Sequence, residues 1–147
     1  MTTTTQPNTN ESAAAPAKCR GCYLTLIARV LMGLIFFVFG LNGFLQFMPQ
    51  PKTMPDGAVA FFGALMNTHY MLPLIMGTQV LCGALLLVNR FVPLALALIA
   101  PVVVNIVAFH AFLEPAGLPM AAVVLALELY LAWAYRSAFR PMLAARF

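Results

Sequence analysis

Long apolar blocks constrain this chain more than any other feature. Four of them run from about Tyr23 to Phe47, Tyr70 to Val88, Pro93 to Leu113 and Leu118 to Tyr135. Each is close to the length a helix needs to cross a bilayer, because a hydrocarbon core of ~30 Å takes roughly 20 helical residues. Only 8% of the 147 residues are charged and 63% are hydrophobic, whereas a soluble domain carries about 25% charged residues. There is too little polar surface to coat a water-soluble globule. The expected fold is an all-α membrane protein, a four-transmembrane-helix bundle in one domain.

The connections define the topology. Short links at Asn89–Arg90 and Glu114–Gly117 make neighbouring spans antiparallel hairpins. Three prolines, Pro49, Pro51 and Pro55, rule out regular helix after the first span. Asp56 then stands where an N-cap belongs, before the mostly apolar run Gly57 to Met66. A helix over about 56–67 is too short to span and is expected on the interface. Residues 1–22 are rich in Thr, Asn, Ala and Pro and lack apolar periodicity, which predicts a disordered tail. The tail has no basic start, and the apolar block after it is too long for a signal peptide. Residues 137–147 form a basic tail.

The net charge of +4 carries topological information. Lys18, Arg20, Arg90, Arg136, Arg140 and Arg146 fall on one side of a four-span arrangement, and Lys52 falls on the other. The positive-inside rule then puts both termini in the cytoplasm of a bacterial inner-membrane protein. Trp133, Tyr130 and Tyr135 fit an aromatic belt on that side, with Tyr70 at the opposite interface. The basic residues are not interleaved with aromatics in patches, so they do not read as a nucleic-acid surface. No phosphate-cradling glycine loop, nucleophile elbow or metal-ligand helix is present. Two histidines without a carboxylate-rich motif are not evidence for a metal site, and none is expected.

Polar residues inside the spans need partners or water. Arg29 in the first span and Glu128 in the fourth both lie roughly 9–12 Å from the cytoplasmic boundary. Opposite charge at matching depth predicts a buried pair, with Gln79 of the second span near enough to hydrogen-bond it. Arg29 shares a helix face with Gly33, Gly40 and Gly43, small residues that admit close helix approach, so the arginine is expected to point inward. The pair either locks the helices or takes part in binding or proton handling. A second set belongs to the outer half: Asn42, Gln46, His69, Asn105, His110 and Glu114. The i, i+4 spacing of His110 and Glu114 stacks carboxylate over imidazole. Such a set could bind a polar head group or a quinone carbonyl, pass protons, or simply contain a satisfied interfacial histidine.

Cys19 and Cys22 form a C-x-x-C beside Lys18 and Arg20, a setting that promotes thiolate character and makes them candidate redox thiols. Their cytoplasmic placement argues against a permanent disulfide, and one such pair supplies only two zinc ligands. Juxtamembrane cysteines without chemistry are the simpler reading. Cys82, inside an apolar block, reads as a small core residue.

The segments Arg29-Val30-Leu31-Met32-Gly33 with Phe39-Gly40-Leu41-Asn42-Gly43-Phe44, Gly83 to Leu87 with Arg90 to Leu96, and Pro101 to Asn105 with Phe109-His110 occur in an order that resembles DoxX-like membrane proteins. The resemblance covers roughly Leu24 to Pro141 and implies a four-helix bundle. Some members of that family are subunits of a thiosulfate:quinone oxidoreductase and others accompany oxidative-stress proteins; beside the lipid bilayer, the partner is left open between a redox enzyme and a second copy of the chain, and the cofactor is unassigned, with a quinone one candidate. Two functions follow. One is an accessory protein that binds a small molecule, lipid or quinone without covalent chemistry; the other is a membrane subunit of a quinone-linked oxidoreductase. A small transporter or proton pathway comes third, because no inverted repeat is apparent.

Overall fold

The computed structural model describes residues 20–48 and 54–139. Among these residues six helices follow one another: α1 (Arg20–Leu45), α2 (Asp56–Asn67), α3 (Met71–Leu87), α4 (Val92–Phe112), α5 (Leu118–Ala134) and α6 (Arg136–Phe139), with a 3-10 turn at Pro115–Gly117. No strand occurs among the described residues. Helix α1 packs most extensively on α3, α4 lies against α3 and α5, and α1 meets α5 to close the ring. Met32 and Phe36 of α1, Cys82 and Leu86 of α3, Leu96, Ile99 and Val103 of α4, and Val124 and Leu131 of α5 fill the centre. Many large apolar side chains face outward instead, among them Leu34, Leu81, Leu98, Val104 and Leu129. That inverted surface is what a lipid solvent requires.

Cys22–Leu45, Val92–Phe112 and Pro115–Ala134 are long and apolar enough to cross a membrane. Helices α2 and α3 pass the same test only together, and they meet at 93°. On its own, α3 rises roughly 26 Å over its length. The bend sits at Thr68-His69-Tyr70. His69 takes the left-handed conformation (φ 63°), while the Thr68 hydroxyl donates to the Leu65 carbonyl and accepts the Met71 N–H. One threonine thus closes α2 and opens α3.

Three local expectations need correction. Residues 20–22, assigned to the tail, form the first turn of α1, since nothing in Arg20-Gly21-Cys22 blocks propagation backward from the apolar run. Residues 137–139, assigned to the basic tail, are helical and belong to α6. Asp56 is the first helical residue rather than the cap: Pro55 precedes the helix without a side-chain cap, and its carbonyl accepts the N–H groups of Ala58 and Val59. The remainder of both tails lies outside the described residues.

Close contact between α1 and α3 depends on glycine. A Cβ on Gly40 would lie 2.8 Å from the Val80 backbone nitrogen and 2.9 Å from the Gln79 Cβ. A Cβ on Gly83 would lie 2.5 Å from the Phe37 nitrogen and 2.8 Å from the Gly33 carbonyl oxygen. The two backbones touch. Between membrane helices there is little hydrophobic driving force, so this van der Waals contact is the main source of cohesion.

Candidate functional site

The polar side chains fall into two groups, one at each end of the bundle. At the end carrying the Arg90 turn, Arg29 is 6% exposed and its Nη1 donates to the Leu86 carbonyl at 3.0 Å. Leu86 lies in the last turn of α3, which closes with Asn89 in the left-handed conformation (φ 57°). Arg90 N–H reaches Leu85 O and Asn89 N–H reaches Leu86 O, the two bonds of a Schellman ending. Arg29 therefore caps a neighbouring helix, with its charge on the partially negative C-terminal end.

This arrangement replaces the expected ion pair. Glu128 is 7% exposed, but among the described residues no lysine or arginine lies within 4.0 Å of a carboxylate, and the one imidazole–carboxylate approach is His110 with Glu114. Glu128 Oε2 is buried without a hydrogen-bond donor, and the carboxyl is close enough to the Cys82 thiol to interact electrostatically. The physical reason is that α1 is fastened to α3, so the guanidinium meets the carbonyls of α3 first. Across the α1–α5 seam, Thr25 Oγ1 and Tyr130 Oη make a hydrogen bond of 3.2 Å. Gln79 does not join Arg29 or Glu128 but belongs to the other group.

At the end carrying α2, the helices separate around a cavity of about 690 Å³, well within the range of small-molecule sites. Asn42 and Gln46 of α1, Gln79 of α3 and His110 of α4 contribute its polar lining, under a roof from α2. A smaller space of about 240 Å³ between α2, α3 and α4 adds Asn105 and Glu114 and shares Gln79 and His110 with the first. Sequence reasoning anticipated most of this ring. It missed the flexible apolar wall, where Met54, Met66, Met76 and Met120 line the larger space. It also missed the aromatic prop beneath α2, in which Phe61 and Phe62 pack on Phe109 at centroid distances of 5.5 and 5.3 Å. The methionine content was the available signal.

Within the ring, Asn42 Oδ1 accepts the Met48 N–H at 2.8 Å and secures the end of α1. His110 Nδ1 donates to the Glu114 carbonyl at 3.1 Å and stands 3.5 Å from its carboxylate. Helix α4 stops at Phe112, so Glu114 approaches from the following turn rather than by stacking along the helix. The imidazole also packs against Gly117, where any Cβ would strike the ring. His69 is not part of the site. Its left-handed backbone turns the ring back to the Asn67 carbonyl, to which Nδ1 donates at 2.7 Å, and the residue is exposed. Cys22 is exposed in the first turn of α1, while Cys19 lies outside the described residues.

The geometry thus gives a membrane bundle with a laterally roofed cavity. The DoxX family model matches residues 24–111, which is more than half of the chain. The chain belongs to the DoxX family. The match takes in α1 to α4 almost entirely and confirms the resemblance drawn from the residues, while α5 of this DoxX protein lies beyond it. Comparison with curated proteins and with solved structures returned no match.

Proposed function

We propose that this DoxX protein is a binding protein for small amphiphilic molecules, lipid or quinone, that performs no covalent chemistry itself and serves as an accessory to other membrane components. The observation that carries the reading is the cavity of about 690 Å³ with amides and an imidazole set into an otherwise apolar wall. That combination suits a ligand with a hydrocarbon body and a small polar head. In this reading the protein sits in the bacterial inner membrane and crosses it four times with both termini cytoplasmic. The short α2 lies along the outer interface, for which its 93° angle to α3 is the supporting observation.

The test is purification in mild detergent followed by mass spectrometry of retained small molecules, comparing wild type with Gly63→Phe. Gly63 lines the larger cavity, and a Cβ there would meet nothing within 4 Å. A phenyl group should fill the space without disturbing the fold. Retained lipid or quinone in wild type and its loss in Gly63→Phe are expected; identical contents would refute the cavity as the binding site.

A further inference from the structure

Gln79 is 7% exposed, lines both spaces beneath α2, and has no hydrogen-bond partner among the described residues. Gly40 admits it so closely that the Gln79 Cβ rests against the backbone of α1. An amide this deep, with no protein partner among the described residues, depends on what enters the cavity for its hydrogen bonds. His110 lines the same two spaces, and with its Nδ1–H committed to the Glu114 carbonyl a neutral ring has Nε2 as its acceptor. Among the described residues the linings contain no lysine or arginine, and their carboxylate, Glu114, is already against His110.

Resting on the cavity reading above, we infer that the site takes an amphiphile with an uncharged, hydroxyl-bearing head, docked on the Gln79 amide and His110 Nε2, and that it rejects anionic lipids. Hydroxyls suit both contacts, since a hydroxyl can donate to Nε2 or exchange hydrogen bonds with an amide. A carboxylate or phosphate would find no lysine or arginine among the described lining residues to offset the loss of its hydration, and would face Glu114.

Three probes that share one oleoyl chain separate the possibilities: monoolein (uncharged, two hydroxyls), methyl oleate (uncharged, none) and oleate (anionic). Each is added at equal concentration to the detergent-solubilised protein, and retention is read by native mass spectrometry for wild type, Gln79→Leu and Gly63→Phe. Wild type should retain monoolein about tenfold better than either of the others. Gln79→Leu should bring monoolein down to the methyl oleate level, while its ligand-free Tm stays equal to or above wild type, because an unpaired buried amide has been removed. Gln79→Met, which keeps the unbranched shape, should behave alike and serves if the leucine variant fails to fold.

Oleate retained as well as monoolein would overturn the charge argument. Monoolein retained by Gln79→Leu but lost from Gly63→Phe would overturn the role of Gln79 and leave the cavity standing. A lower ligand-free Tm in both Gln79 variants would mean the amide has a structural partner, which also overturns the inference. Equal monoolein retention in wild type and Gly63→Phe would remove the binding site itself, and with it this deduction.

Discussion

The packing of α1 on α3 can be tested within one helix by two glycines in opposite circumstances. At Gly83 a Cβ would lie 2.5 Å from the Phe37 nitrogen and 2.8 Å from the Gly33 oxygen, both backbone atoms that cannot rotate away. Ordinary contact begins at 3.4 Å, so the helices must part by about 0.9 Å. Separation on that scale weakens the dispersion contacts along the seam, and forced overpacking of this kind costs ~1–3 kcal/mol. At Gly77 the same methyl would meet nothing within 4 Å, leaving only the helix-propensity gain of ~0.5–1 kcal/mol. Gly83→Ala gains the same propensity, so it should be less stable than Gly77→Ala by the overpacking cost alone, ~1–3 kcal/mol. Reversible unfolding by SDS titration in mixed micelles reads this difference from the midpoints. Equal midpoints for the two variants would refute the close-contact argument.

The other predictions concern charge and topology. Arg29→Met should cost ~1.5–3 kcal/mol, the value of a hydrogen bond from a charged donor, whereas Glu128→Met should leave stability unchanged or raised, since Oε2 has no donor to lose. The double variant should be additive within ~0.5 kcal/mol; a coupling above that in SDS titration would restore the ion pair. Reporter fusions after Phe147 and between residues 50 and 55 should report opposite compartments, and agreement between them would exclude four crossings. Cys22→Ser should leave Tm and oligomeric state unchanged by light scattering and thermal unfolding; a shift in either would give the C-x-x-C a role.

The helices were legible because each apolar block is close to bilayer length and ends at Gly, Pro, Asn or a charge. The inward direction of Arg29 was legible as well, from the glycines on its face. Its partner was not. The acceptor is the carbonyl of Leu86, a group that every residue carries, and matching opposite charges by depth compares side chains alone. Glu128 matched in depth, but depth does not tell which helix is nearest. Most of the polar ring beneath α2 could be gathered from sequence, since Asn42, Gln46, Asn105, His110 and Glu114 share one level. Gln79 was assigned to the wrong group because a side chain midway along a span can be counted toward either end. The empty volume depends on the 93° bend, and that bend is made by Thr68 and a left-handed His69. Neither residue announces a sharp turn as glycine would.

The cap that Arg29 places on α3 also orders events during synthesis. The guanidinium belongs to the first apolar helix, and its acceptor lies 57 residues later. At ~5–20 residues per second, the carbonyl is made roughly 3–11 s after the arginine. Through that interval the charge must find water or headgroups at the near surface, which its long side chain permits. This hydrogen bond can form only once α3 has been made, so the seating of α1 is completed late in synthesis.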